Sequence, residues 1–209
     1  MAGNSGPIVG VLALQGDVRE HSTVLRELGS DVREVRKPSD LVGIEGLVIP
    51  GGESSAVDKL IGVCNLRSSL EQAISGGMPV LGTCAGLILL ASEIEDAAKG
   101  QKSLGGLDIS VRRNALGPQI ESFEGSLDVV GIPGPSMNVA FIRAPIISRV
   151  GDSVDVIAML GEDQVVGVKS KNLIGVSFHP EITGEDRLHR FFLEQVRTSE
   201  FSYSGSMSL

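Results

Sequence analysis

Residues 7–14 (PIVGVLAL) carry no polar side chain. The run is too short to cross a bilayer, which takes about 20 apolar residues. It also lacks the alternation of a half-exposed strand, so it predicts a strand covered on both faces, as in a parallel sheet. The next residues fit such a sheet. After Gln15-Gly16-Asp17, the residues Val18, His21, Val24, Leu25 and Leu28 recur at helical spacing, and Gly29 suits the position just past a helix end. Asp31 to Val35 reads as a strand, and Leu47 to Pro50 as a short buried one ending in Gly51-Gly52. Leu66 to Ile74 reads as a helix broken by Gly76-Gly77, Met78 to Gly82 as a strand, and Ala85 to Ile94 as a helix. Strand and helix in alternation predict an α/β fold: an open, mostly parallel sheet flanked by helices.

The texture changes between Gly105 and Val168. Short β-rich runs (107–111, 127–132, 139–142, 154–160, 164–168) with Gly and Pro turns predict added antiparallel strands. Asn172 to Phe178 is one more apolar strand. A last helix is expected from Thr183, with Asp186 completing a capping box and Leu188, Phe191, Phe192, Gln195 and Val196 along one stripe. Residues 1–209 read as one domain, with 1–6 and the Ser-rich end from Thr198 expected to fray. Trp is absent and aromatics are 3%, so the core must be aliphatic.

Charge and cysteine usage narrow the function classes. Lys and Arg number 18 against 26 Asp and Glu, a net −8, which argues against a nucleic-acid or anionic-membrane partner. Cys64 and Cys84 cannot build a disulfide scaffold, and three histidines without a CxxC leave little for a metal centre. The first residues lack the charged start of a signal peptide, so a soluble cytoplasmic protein is expected.

The chemistry lies where predicted strands end. Gly82-Thr83-Cys84-Ala85-Gly86 sits between a strand and a helix, a G-x-nucleophile-x-G elbow with Cys as nucleophile. The sharp turn lifts the side chain to the strand end, and the helix N-terminus beside it favours a thiolate. Alone, the motif also fits a buried structural cysteine. A base is needed, and His179 ends the strand 172–178. Pro180 keeps His179 extended, so Glu181 projects to the same side and is placed to orient the imidazole. Gly51-Gly52-Glu53-Ser54 closes another strand, and its glycines allow a backbone N–H to face an oxyanion.

The set GGES, GTCAG and HPE, in that order, resembles the class I glutamine amidotransferases. GVLALQG (10–16), Arg113-Asn114-Ala115, Gln119, Ser122-Phe123-Glu124, FIRAP (141–145), Asp186-Arg187 and His189 narrow the resemblance to the glutaminase subunits of pyridoxal 5′-phosphate synthases, from about residue 8 to 195. That resemblance implies hydrolysis of L-glutamine to glutamate and ammonia without a cofactor, and delivery of ammonia to a barrel-shaped synthase partner. It implies Cys84, His179 and Glu181 as the triad. Gly51, Gly52 and the Ala85 N–H are the implied oxyanion hole. Gly52, Glu53, Ser54, Arg113, Ile142 and Arg143 are the implied glutamine contacts. Leu116-Gly117-Pro118 and Ser55-Ala56 depart from the family pattern. Other readings are a glutaminase subunit for another acceptor, a γ-glutamyl peptidase, or a non-catalytic regulatory protein on the same fold. Cys64 reads as a core thiol, and His21 and His189 as structural or interfacial.

Overall fold

A computed structural model describes residues 6–113 and 122–205. The chain runs β1 (Ile8–Leu12), α1 (Val18–Glu27), β2 (Asp31–Val35), β3 (Gly46–Ile49), α2 (Ser54–Val63), α3 (Arg67–Ser75), β4 (Val80–Thr83) and α4 (Ala85–Leu90). It continues through β5 (Ala91–Ile94), β6 (Leu107–Arg112), β7 (Ser122–Leu127), β8 (Met137–Ile142) and β9 (Ile146–Val150). β10 (Asp155–Leu160), β11 (Gln164–Ser170), β12 (Leu173–Val176) and α5 (Arg187–Thr198) complete it.

Seven strands form the central sheet, in the order β10-β11-β12-β4-β3-β1-β2. The five from β12 to β2 are parallel; β10 and β11 extend one edge antiparallel. The mostly parallel α/β architecture is therefore as expected. Successive strand residues face opposite sides, and both sides are covered. Leu47, Ile49 and Val80 pack with Val57, Ile61, Leu70 and the apolar run of α4. Val9, Val11, Val48, Leu81 and Ile174 pack with Leu25 of α1 and with Leu188, Phe192 and Val196 of α5. Helices α1 and α5 thus share one face with the β7–β8 pair, whose Val139 and Phe141 join that cluster. A small sheet, β5-β6-β9, packs on the opposite face, with Leu107, Ile109, Val111 and Ile147 in the cluster of Leu47 and Ile49.

Several elements differ from expectation. Residues 54–63 form α2, which no strong apolar period announces. The helix expected over 85–94 stops at Leu90; Ser92 and Glu93 instead meet β6, through Ser92 Oγ to the Ile109 carbonyl (2.9 Å) and Ser110 Oγ to Glu93 (2.6 Å). The last helix begins at Arg187, not Thr183, because the Thr183 hydroxyl is spent on the Asn138 and Pro180 carbonyls. Its buried residues are Leu188, His189, Phe192, Leu193 and Val196; Phe191 and Gln195 are only half-buried. The end expected to fray is tied down as far as Tyr203, which bonds through its N–H to Ile44 and through its carbonyl to Gly43.

Candidate active site

The carboxyl ends of β12, β4, β3 and β1 lie side by side, where ligands bind in open parallel sheets. Each strand delivers one segment of the site there. β4 runs directly into Cys84, whose backbone stands at φ 47° and ψ −98°. Its N–H donates to the Val176 carbonyl (2.8 Å) and its carbonyl accepts from Ile88 (3.2 Å), so strand and helix hold the turn from both sides. The approach is close: a Cβ on Gly86 would lie 2.0 Å from the Ile49 carbonyl oxygen. The buried Cys84 thiol faces the Ile142 carbonyl at 3.8 Å.

His179 follows β12, and its backbone is bridged to Ala140 of β8. Nδ1 lies 2.8 Å from Glu181 Oε1 and 3.2 Å from Asp17 Oδ2. Two carboxylates on one nitrogen fix the Nδ1–H tautomer. Among the described residues Nε2, which is buried, has no hydrogen-bond partner and is free for a reacting group. Burial alone would lower the imidazole pKa. Asp17, the neighbouring Cys84 sulfur and Glu181 outweigh it and push the pKa up to about 12. Glu181 is likewise buried, which would raise its pKa, yet the charge of His21 and the bond to His179 hold it well below the usual carboxylate range.

A cleft of about 240 Å³ opens above Cys84 and His179. All six expected glutamine contacts line it: Gly52, Glu53, Ser54, Arg113, Ile142 and Arg143. Glu53 also caps α2, accepting from the Ser55 N–H and hydroxyl, and lies 3.7 Å from Arg113. Arg113 Nη1 donates to Gln101 Oε1 (2.8 Å), and Gln101 Nε2 donates to Ser54 Oγ (3.0 Å). Arg143 holds a positive φ of 44°. Gly51 packs on His179, and its carbonyl accepts from the Asp17 N–H (3.2 Å). The peptide is trans, so the Gly52 N–H turns the opposite way. Ala85 opens α4, where backbone N–H groups lack helical partners. Asn114 to Gln119, including the Leu116-Gly117-Pro118 departure, lie outside the described residues.

Sequence reasoning missed four cleft residues, Gln15, Gly16, Asp17 and Ile88, together with Gln101 behind Arg113. Gln15 and Asp17 follow a strand end just as Cys84 does, and that placement was the available signal. Gln15 Oε1 accepts the Glu53 N–H (2.8 Å), lacing the β1 and β3 loops together.

Comparison with known proteins agrees with the fold. The chain is 55% identical over 191 residues to the pyridoxal 5′-phosphate synthase subunit PdxT of Clavibacter michiganensis subsp. michiganensis, covering 91% of each. It is 51% identical over 196 residues to the subunit of that name from Cutibacterium acnes, covering 91% of this chain and 97% of that one. A crystal structure of a glutamine amidotransferase matches with a TM-score of 0.85 at 45% identity, over 91% of this chain and 99% of the other. A putative GMP synthase component from Thermoplasma acidophilum, at 22% identity and a TM-score of 0.66, shares the fold over 92% of this chain and 95% of its own. Matched over residues 11–198, the chain belongs to the SNO glutamine amidotransferase family.

Proposed function

We propose that the cleft hydrolyses the side-chain amide of L-glutamine, with Cys84 as nucleophile, His179 as base and acid, and Glu181 orienting His179. The chain is a glutamine amidotransferase, the glutaminase subunit of a pyridoxal 5′-phosphate synthase. Its ammonia goes to the synthase subunit for vitamin B6 synthesis. One observation carries the mechanism: a cysteine on a strained elbow shares a buried edge with an imidazole whose Nδ1–H is held by a carboxylate and whose Nε2 is free among the described residues.

His179 Nε2, whose pKa is pushed up, takes the thiol proton first, and the Cys84 thiolate then attacks the glutamine amide carbon. Gly51, Gly52 and the Ala85 N–H stabilise the oxyanion. His179 returns the proton to the leaving nitrogen, releasing ammonia and a γ-glutamyl thioester. Water, deprotonated by His179, then cleaves the thioester to glutamate and restores the thiol. Gly52, Glu53, Ser54, Ile142 and Arg143 hold the substrate, with Arg113 as the guanidinium for its α-carboxylate. Residues 1–209 act as one glutaminase domain. Cytoplasmic residence belongs to the same reading, supported by two free cysteines. Among the described residues, no helix is long and apolar enough to cross a membrane.

Cys84→Ser is expected to keep the fold and abolish glutamate release in the presence of the synthase subunit. A glutamine-like electrophile, read by mass spectrometry, is expected to label Cys84 and spare half-buried Cys64. Labelling mainly at Cys64 would remove Cys84 from the nucleophile's role.

A further inference from the structure

Three buried polar side chains behind the triad take no part in the catalytic steps of Cys84 and His179. His21 lies on α1, Thr83 ends β4 and His189 lies on α5; all three are fully buried. His21 Nε2 is 3.3 Å from Glu181 Oε1 and 3.1 Å from Thr83 Oγ1. His21 Nδ1 is 2.9 Å from His189 Nε2. Polar groups in a dry interior are costly unless each serves another.

The carboxylate of Glu181 sets the proton positions. Its Oε2 has no hydrogen-bond partner among the described residues, so Oε1 receives the donors that keep the group ionised. Those are His179 Nδ1, hydrogen-bonded at 2.8 Å, and His21 Nε2, in charge contact at 3.3 Å and nearer still to Thr83 Oγ1 at 3.1 Å; an ionised oxygen only accepts. The hydrogen on His21 Nε2 is then shared between Glu181 and Thr83. In neutral His21, Nδ1 is then the acceptor for His189 Nε2–H; in protonated His21 the direction of that bond reverses. Glu181 keeps its second donor in either case. Four residues before His21, one helical turn, Asp17 holds the other triad partner, His179. The start of α1 thus reaches both His179 and Glu181.

We infer that His21 is a positioning residue of the glutamine hydrolysis, its Nε2–H keeping the Glu181 carboxylate turned toward His179 while His189 braces the ring from behind. The inference rests on the proposed Cys84–His179–Glu181 triad. Simple core filling is the competing explanation, but packing alone requires no donor aimed at a carboxylate whose other oxygen is bare. His189 supports the same picture: burial, and then the charge of His21, push its pKa down to about 3, so it stays a neutral brace. The titratable groups facing His21 are Glu181 from the segment after β12 and His189 from α5, with Asp186 acting on His189 and Asp17 acting on His179.

The test compares His21→Gln with His21→Asn in the full chain assembled with its synthase partner. The Gln amide nitrogen approximates Nε2 and reaches Glu181; the Asn amide approximates Nδ1 and reaches only His189. Glutamate release is measured as kcat and KM across pH. H21Q is expected to keep kcat within about threefold, and H21N to lose about tenfold with KM within about twofold. In H21N the loss is expected across the whole pH profile, because Glu181 lies well below the usual carboxylate range and is turned from His179 rather than neutralised. Identical profiles for folded H21N and H21Q overturn the inference. If H21N does not fold, H21Q decides: a folded H21Q with kcat more than about tenfold down refutes the role, and retained kcat with an unshifted profile supports it. Electrophile labelling of wild-type Cys84 separates the two readings. Failure to label sinks the triad itself, whereas labelling with identical H21N and H21Q profiles sinks only the positioning role.

Discussion

Cys84 occupies a backbone conformation that costs a residue with a side chain about 1–3 kcal/mol, and the bonds to Val176 and Ile88 hold it there. Its partner has as little room to move. A Cβ on Gly51 would stand 2.2 Å from His179 Cε1, so Gly51→Ala must displace the imidazole. A misplacement of about 1 Å costs on the order of 10²-fold in rate, so kcat is expected to fall by about that much while circular dichroism stays unchanged. Full activity in G51A would mean that His179 tolerates a shift the mechanism forbids. His189 bears on stability instead. Its folded pKa, about 3, lies below the ordinary 6.5 of an unfolded histidine, so the unfolded chain binds the extra proton as pH falls between them. Stability present above pH 6.5 is then lost toward pH 3, at a limiting slope of about 1.4 kcal/mol per pH unit. Urea unfolding between pH 6 and 5 is expected to show a shallower slope in His189→Gln; equal slopes would mean that His189 charges freely in the fold. Cys84, His179 and Glu181 were legible because each sits in a short motif at a strand end. His21 was not. It reaches the triad only through the lateral order of strands and occupies the apolar stripe of α1 like any core residue.

At the scale of elements, the β4–α4 unit depends on close approach to β3. A methyl on Gly86 would collide with the Ile49 carbonyl and force α4 away from the sheet. Gly86→Ala is expected to cost about 1–3 kcal/mol of stability and to lower turnover with it, read as Tm and glutamate release. An unchanged Tm would show that α4 has slack. The inner parallel strands β1, β3, β4 and β12 were easy to read because burial on both faces leaves unbroken apolar runs. α2 was harder: its buried residues are Ser54, Val57, Asp58 and Ile61, half of them polar, and Asp58 is paired with Arg67 and the Lys102 N–H. The overlong reading of α4 has a plain cause. Ala85 to Leu90 are buried on every side, so no period marks the end of the helix, and the switch to β5 depends on bonds to β6 more than ten residues ahead.

For the whole molecule, control of the reaction turns on the loops after β1 and β3. The Asp17 N–H donates to the carbonyl of the Gly51–Gly52 peptide, and Gln15 accepts the Glu53 N–H of the peptide that follows. We propose that the synthase partner docks at the GVLALQG segment, which ends in Gln15 and Gly16. Docking there bears directly on the peptide proposed to supply an oxyanion donor. The isolated chain is accordingly expected to release glutamate about 10²–10³-fold more slowly than the chain with its synthase partner, the worth of one such donor. Equal rates would remove the regulatory role and leave the triad untouched.

The position of β12 has a consequence for biosynthesis. This strand arrives late in the sequence yet lies inside the sheet, against β4. A ribosome that has released β1 through β4 has made the cysteine elbow but not the strand that completes its edge. The β4 edge stays open to wrong partners until residues 173–176 emerge. His179 and Glu181 come directly behind that strand, so the event that closes the sheet also brings in the base. On the proposed mechanism, a nascent or truncated chain therefore carries the thiol without its base, and glutamine is safe from it until the sheet is shut.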